Sequence, residues 1–190
     1  MNDEAIGALL TATLTARTEW DEHPELYFLT ESDNSAALVT VGLSSMWWDL
    51  APPPQLLMRL GEGLMHYHSL PDSILEMPKP PVPELPPGWI GMAFRFEGWG
   101  VNITAAEQND DPAVAERLKR AVAEHDLYLQ PERIEARHIM AFTTADRFYH
   151  VEQERDCEVV MMPSGDPGGT IAEALMLMTF GFKAATAERQ

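Results

Sequence analysis

The hydrophobic pattern along the chain switches between a helical and an extended period. Residues 3–17 space Ile6, Leu10, Thr13, Leu14 and Arg17 at three- and four-residue intervals, which predicts a short, weakly amphipathic helix. His23-Pro24 interrupts what precedes it, because proline pushes its neighbour toward extended geometry. "ELYFLTE" and "AALVTVGL" then read as two strands, rich in aromatic and β-branched residues, and "SDNS" between them supplies turn chemistry. The second of these strands is apolar at almost every position, so it is expected inside a sheet with both faces covered.

"PPPQLLMRLGEGLMHYH" restarts a helix with Leu57, Leu60, Leu64 and Tyr67 as its buried stripe, weakened by Gly61 and Gly63. "WIGMAFRFEGWGVNI" alternates strictly, which predicts a half-buried strand, a turn at Gly98 and Gly100, and a short strand through Val101 and Ile103. Asp111-Pro112 opens a helix expected to bury Val114, Leu118, Ala121, Val122 and His125. "RIEARHIMAFTTADRFYHVEQERD" reads as a long hairpin turning near Ala145-Asp146, with Phe142 opposite Tyr149, Met140 opposite Val151 and Arg137 opposite Glu154. Thr170-x-x-Glu173 is a capping box that starts a last helix through about Phe182.

The predicted class is α+β: a mainly antiparallel sheet of about five to six strands flanked by helices, in the order α-ββ-α-β(β)-α-ββ-α. Residues 77–88, "MPKPPVPELPPG", hold six prolines in twelve positions. Neither side of this segment carries a self-sufficient sheet, since a lone hairpin is marginal. The expectation is therefore a single domain over 1–190, crossed by a stiff polyproline-type segment rather than hinged there.

Composition changes this picture in one respect. The net charge is −17, and the first fifty residues hold nine acids against one base, Arg17. Solubility accounts for such a charge, and ordinary nucleic-acid binding is disfavoured because it needs clustered Lys and Arg. The acidic start lacks the positive region of a secretory signal, no apolar run reaches the ~20 residues of a membrane span, and a single cysteine cannot form an internal disulfide. The expected location is the cytoplasm.

Candidate chemistry is sparse. His66 and His68 in "MHYHS" would share a face on a strand but diverge on a helix, and the stretch reads as a helix end. "SGDPGGT" lacks the lysine of a phosphate-binding loop, and Cys157 sits between acids that disfavour a thiolate. His138 and His150 lie on the two arms of the long hairpin with acids nearby. With thirty acids and six histidines in the chain, such adjacency is expected by chance. No catalytic residue, metal site or cofactor is assigned. The apolar surplus points instead to a partner surface built from Trp47, Trp48, Trp99, Met176, Leu177 and Phe180, because interfaces favour Trp and Met.

"EWDEHPELYFL", "FRFEGWGV" and "RHIMAFTTADRFYHV" resemble segments of uncharacterised proteins from actinobacteria and their bacteriophages. The resemblance spans most of the chain, implies that the latter two segments lie in a sheet, and brings no activity with it. The leading expectation is a non-enzymatic binding or regulatory protein that acts through contact with a protein partner or a second copy, without membrane or direct nucleic-acid binding. The alternatives are an acidic inhibitor that imitates DNA and a small histidine/carboxylate hydrolase, with or without a metal.

Overall fold

The structure, a computed structural model, describes residues 3–33, 35–43, 46, 48–69, 84–101, 112–124, 126, 129–163, 165 and 168–187. In chain order the elements are α1 (Asp3–Thr15), β1 (Glu25–Ser32), β2 (Ser35–Thr40), α2 (Pro53–Ser69), β3 (Trp89–Gly100) and α3 (Pro112–Glu124). β4 (Ile134–Thr143), β5 (Phe148–Glu154), β6 (Val160–Met161) and α4 (Gly169–Ala187) complete them. The strands form one antiparallel sheet of order β2-β1-β3-β4-β5-β6, so the protein is α+β. Strands from both sides of the proline-rich crossover meet in it, because β1 pairs with β3. Most of that crossover, and Trp47, Ile103 and His125, lie outside the described residues. No helix among the described residues is long and apolar enough to cross a membrane.

Alternation along the strands divides the core in two. On one face Leu26, Phe28, Met92, Phe94, Met140 and Phe142 pack with Leu57 of α2 and with Leu175, Met178 and Phe182 of α4. On the other, Tyr27, Leu29, Ala93, Ile139, Ala141 and Val151 pack with Ile6, Leu10 and Leu14 of α1. The apolar circumference of α4 has its explanation here. Leu175 and Met178 face the sheet, Phe180 meets the Phe142 ring edge-on, and the flank at Ala174 and Leu177 lies against α2. Gly61 permits that approach: a Cβ there would stand 2.9 Å from Leu177 Cβ. The helix also runs to Ala187, beyond the end expected at Phe182.

Four expectations are corrected. β2 is an edge strand, not a central one, and Ala37 and Val39 are exposed. An apolar run does not distinguish a doubly covered strand from one whose small residues are simply left bare. The consecutively buried strands are β1, β3 and β4. β3 does not turn at Gly98 but continues to Gly100, because β4 pairs with it without a break from Gly91 to Gly100. In α3 the buried residues are Ala115, Leu118 and Ala121, while Val122 is 42% exposed.

The β4–β5 register is the fourth correction. It is slipped by one residue from expectation, with Phe142 opposite Phe148, Met140 opposite His150 and Arg137 opposite Gln153. Thr143 N–H donates to the Arg147 carbonyl at 3.0 Å, and Asp146 has φ 58°. Those features make a three-residue loop with a left-handed residue rather than a two-residue turn.

Candidate functional site

The slip decides what the hairpin presents. In the observed register His138 of β4 lies opposite Glu152 of β5, and His150 lies two residues back on the same face as Glu152. All three side chains thus project from the face that carries Phe94 and Phe96, and they sit at its β5 end. His138 Nδ1 is 3.1 Å from His150 Nε2 and 3.4 Å from the Glu152 carboxylate, while His150 Nε2 is 3.9 Å from that carboxylate. The side chains are 16%, 14% and 25% exposed, in the order His138, His150, Glu152.

Ring packing fixes the orientation of the cluster. Trp48 meets Phe94 with centroids 5.5 Å apart, Phe94 stacks on Phe96 at 5.4 Å, and Phe96 stacks on the His138 ring at 4.9 Å. From β5's other side, Met162 N–H donates to the His150 carbonyl at 2.9 Å and holds its backbone. The electrostatics are equally defined. Burial, and then the neighbouring His138, push the His150 imidazole down from 6.5 to about 4. Hydrogen bonding from His138 holds Glu152 below the usual carboxylate range despite its burial. At neutral pH the cluster therefore combines a neutral His150 with an ionised Glu152.

A pH dependence follows. Because folding lowers the pKa of His150, the unfolded chain takes up that proton first as the pH falls. The stability that goes with neutral His150 is complete above about pH 6.5 and is lost progressively toward pH 4. Denaturation midpoints measured across this window should fall, and His150→Gln should flatten the part of the decline that belongs to the imidazole.

The opposite face carries a second polar region beyond the end of α1. Arg95 and Arg137 are buried there and clasp the segment 17–25, through Glu22, Glu25 and the His23 carbonyl for Arg95 and through the Arg17 and Glu19 carbonyls for Arg137. Arg137 and Arg155 both lie over the Trp20 ring, at 5.1 and 4.8 Å. Asp21, Glu97 and Glu135 also converge, but Glu97 accepts from the Asp21 backbone at 2.7 Å and Arg155 bonds Glu135 at 2.6 Å. This region ties the N-terminal segment to the sheet.

The residues expected to form one partner surface are not collected in one place. Trp48 is half-buried against Phe94. Trp99 is 43% exposed on the opposite face, beneath the Arg133 guanidinium at 5.1 Å. Met176 and Phe180 are half-buried and line a cavity of about 810 Å³ with Phe142 and Phe148, whereas Leu177 lines a separate cleft beside α2. His66 and His68 both fall on helix α2, and the His68 side chain lies outside the described residues. Cys157 is exposed.

The surface feature that sequence reading missed is the outer edge of β2. Val41 N–H donates to the Leu26 carbonyl at 2.8 Å, which fixes the phase of the ladder. Alternate residues of an antiparallel strand turn both backbone groups to the same neighbour. Residues 35, 37 and 39 therefore bond β1, and Ala36, Leu38 and Thr40 turn their N–H and C=O groups outward. Among the described residues nothing pairs with them. The strand has no charge and no proline, the usual protections of an edge. The other end of the sheet is guarded by the two-residue β6.

These features define a class: an antiparallel α+β protein whose edge strand β2 is unpaired on its outer side among the described residues, with a half-buried His–His–Glu cluster on one sheet face. No protein-family model, curated protein or solved structure matches the chain.

Proposed function

We propose that the protein is a non-enzymatic binding or regulatory protein of the cytoplasm and that it acts by accepting a strand from a protein partner along β2. The observation that carries this reading is the unprotected edge at Ala36, Leu38 and Thr40, flanked by the exposed Val39 side chain. Strand addition supplies main-chain hydrogen bonds for affinity and alternate side-chain sites for selection. Imitation of DNA draws no support from the N-terminal acids, because Glu22 and Glu25 are engaged by Arg17 and Arg95 rather than arrayed toward solvent. A histidine/carboxylate hydrolase is the second reading, favoured by the convergence of His138, His150 and Glu152.

Thr40→Pro removes an outward N–H without touching the β1 ladder, and proline is tolerated at such edge positions. Val39→Lys adds a charge to the edge. Tagged wild-type protein should retain a stoichiometric partner, or a second copy of itself, through a high-salt wash of a lysate from the source organism. Both variants should lose that partner while keeping the wild-type circular dichroism spectrum. Retention by the folded variants sinks the β2 reading, and capture only of DNA-binding proteins that wash off in salt replaces it with electrostatic imitation.

A further inference from the structure

We propose that His138, His150 and Glu152 form a binding site for a divalent late transition-metal ion of the zinc type. The inference stands apart from the role of β2 and rests on the geometry of the three donor atoms. Their separations are 3.1, 3.4 and 3.9 Å. The centre of that triangle lies about 2.0 Å from each corner, so an ion a few tenths of an ångström above the donor plane keeps bonds of ~2.1 Å, the length of zinc–nitrogen and zinc–oxygen bonds. Donors on a tetrahedral ion at such bond lengths stand ~3.3 Å apart, close to the mean of the three sides.

A simple hydrogen-bonded cluster explains only part of this arrangement. The His138 Nδ1 proton has one good direction, yet two acceptors face it, His150 Nε2 and the Glu152 carboxylate. The third side, His150 Nε2 to Glu152, is 3.9 Å, too long for a hydrogen bond. A shared centre uses all three sides at once.

The donor set selects the ion. Two imidazole nitrogens and one carboxylate oxygen suit zinc and its late first-row neighbours, whereas magnesium and calcium prefer oxygen throughout. Three protein ligands leave a fourth position, and the partial exposure of all three side chains leaves it open to water or an external donor. The stacking of Phe96 on His138 and the Met162 bond to the His150 carbonyl hold two of the ligands in place before the ion arrives.

The test uses the full chain, freed of metal with a chelator and titrated with zinc chloride by calorimetry and with cobalt chloride by visible absorption. The expected result is one ion per chain, the intense visible bands of four-coordinate cobalt, and no competition from magnesium or calcium. His150→Ala and Glu152→Gln should each weaken zinc binding by about 100-fold or more, since even outer-shell changes cost 10–100-fold. His66→Ala should leave binding unchanged. Glu152→Gln preserves the side-chain shape, so it keeps the test decisive if the histidine variant does not fold. Absence of stoichiometric binding, weak six-coordinate cobalt bands, or unchanged affinity in folded Glu152→Gln protein would overturn the site.

Discussion

Replacing Arg95 with Ala should lower the stability of the protein by about 3 kcal/mol, because it breaks a largely buried ion pair and its hydrogen bonds. Arg95 is 4% exposed on β3, opposite Glu25 of β1. Its guanidinium bonds Glu22 at 2.7 Å, Glu25 at 3.0 Å and the His23 carbonyl at 3.0 Å. Burial opposes ionisation of Glu25, yet the Tyr27 hydroxyl, Arg95 and Arg17 together hold its carboxyl below the usual range. The Tyr27 hydroxyl is in turn pushed up to about 12 by burial and by Glu25. Without Arg95 the two carboxylates keep Arg17 as their ion-pair partner among the described residues, and the segment between α1 and β1 loses its anchor to β3. The expected cost is at the low end for a buried pair, since the Glu22 and Glu25 side chains keep 23% and 39% exposure and can turn to water. Urea denaturation measures it as a lower midpoint at unchanged slope. Arg95→Lys should recover only part of the loss, because an ammonium cannot reproduce the fork that reaches two carboxylates and a carbonyl.

Gly91→Ala should cost a similar amount, about 3 kcal/mol, through backbone overlap rather than charge. A Cβ at Gly91 would stand 2.2 Å from the Phe142 carbonyl oxygen and 2.8 Å from Thr143 Cα. Both obstacles are main chain of β4, so no side-chain rotation relieves them. β3 is held there from both sides, by Leu29 of β1 and Thr143 of β4, at the point where the β1–β3 register shifts. The strand must separate from β4 or move against β1. Gly98→Ala in the same strand provides the contrast. Nothing lies within 4 Å of its Cβ position, so that change should stay within about 0.5 kcal/mol of the wild type. Equal denaturation midpoints for the two variants would contradict the close approach at Gly91.

The elements themselves were legible because helical and strand periodicities are local: α1, α2, α3, α4 and the long hairpin stand where the spacing placed them. What periodicity does not encode is which strand is covered on its second face. β2 misled for that reason, since "AALVT" satisfies the pattern of a central strand, yet among the described residues only β1 pairs with it, and Ala37 and Val39 are exposed.

The His–His–Glu cluster was hidden by a single residue of register. With Phe142 opposite Tyr149, His138 and His150 project from opposite faces and cannot meet. With Phe142 opposite Phe148 they share a face and Glu152 joins them. The signal was present in "TTADRF", where Asp146 suits the left-handed position of a three-residue loop. The scattered tryptophans and apolar residues of α4 illustrate the converse. Their chemistry was plain, but whether they face α2, the sheet or solvent depends on packing between distant segments.

Strand acceptance along β2 requires that its outward backbone groups, unpaired among the described residues, be free before a partner binds. Residue-resolved amide exchange at Ala36, Leu38 and Thr40, in the free protein and in the complex with its captured partner, tests this most directly. Fast exchange is expected at these three amides in the free protein, slow exchange at Ala37 and Val39, and protection of all five once the partner is bound. Slow exchange at Ala36, Leu38 and Thr40 before binding, or continued fast exchange in the complex, contradicts strand acceptance along β2.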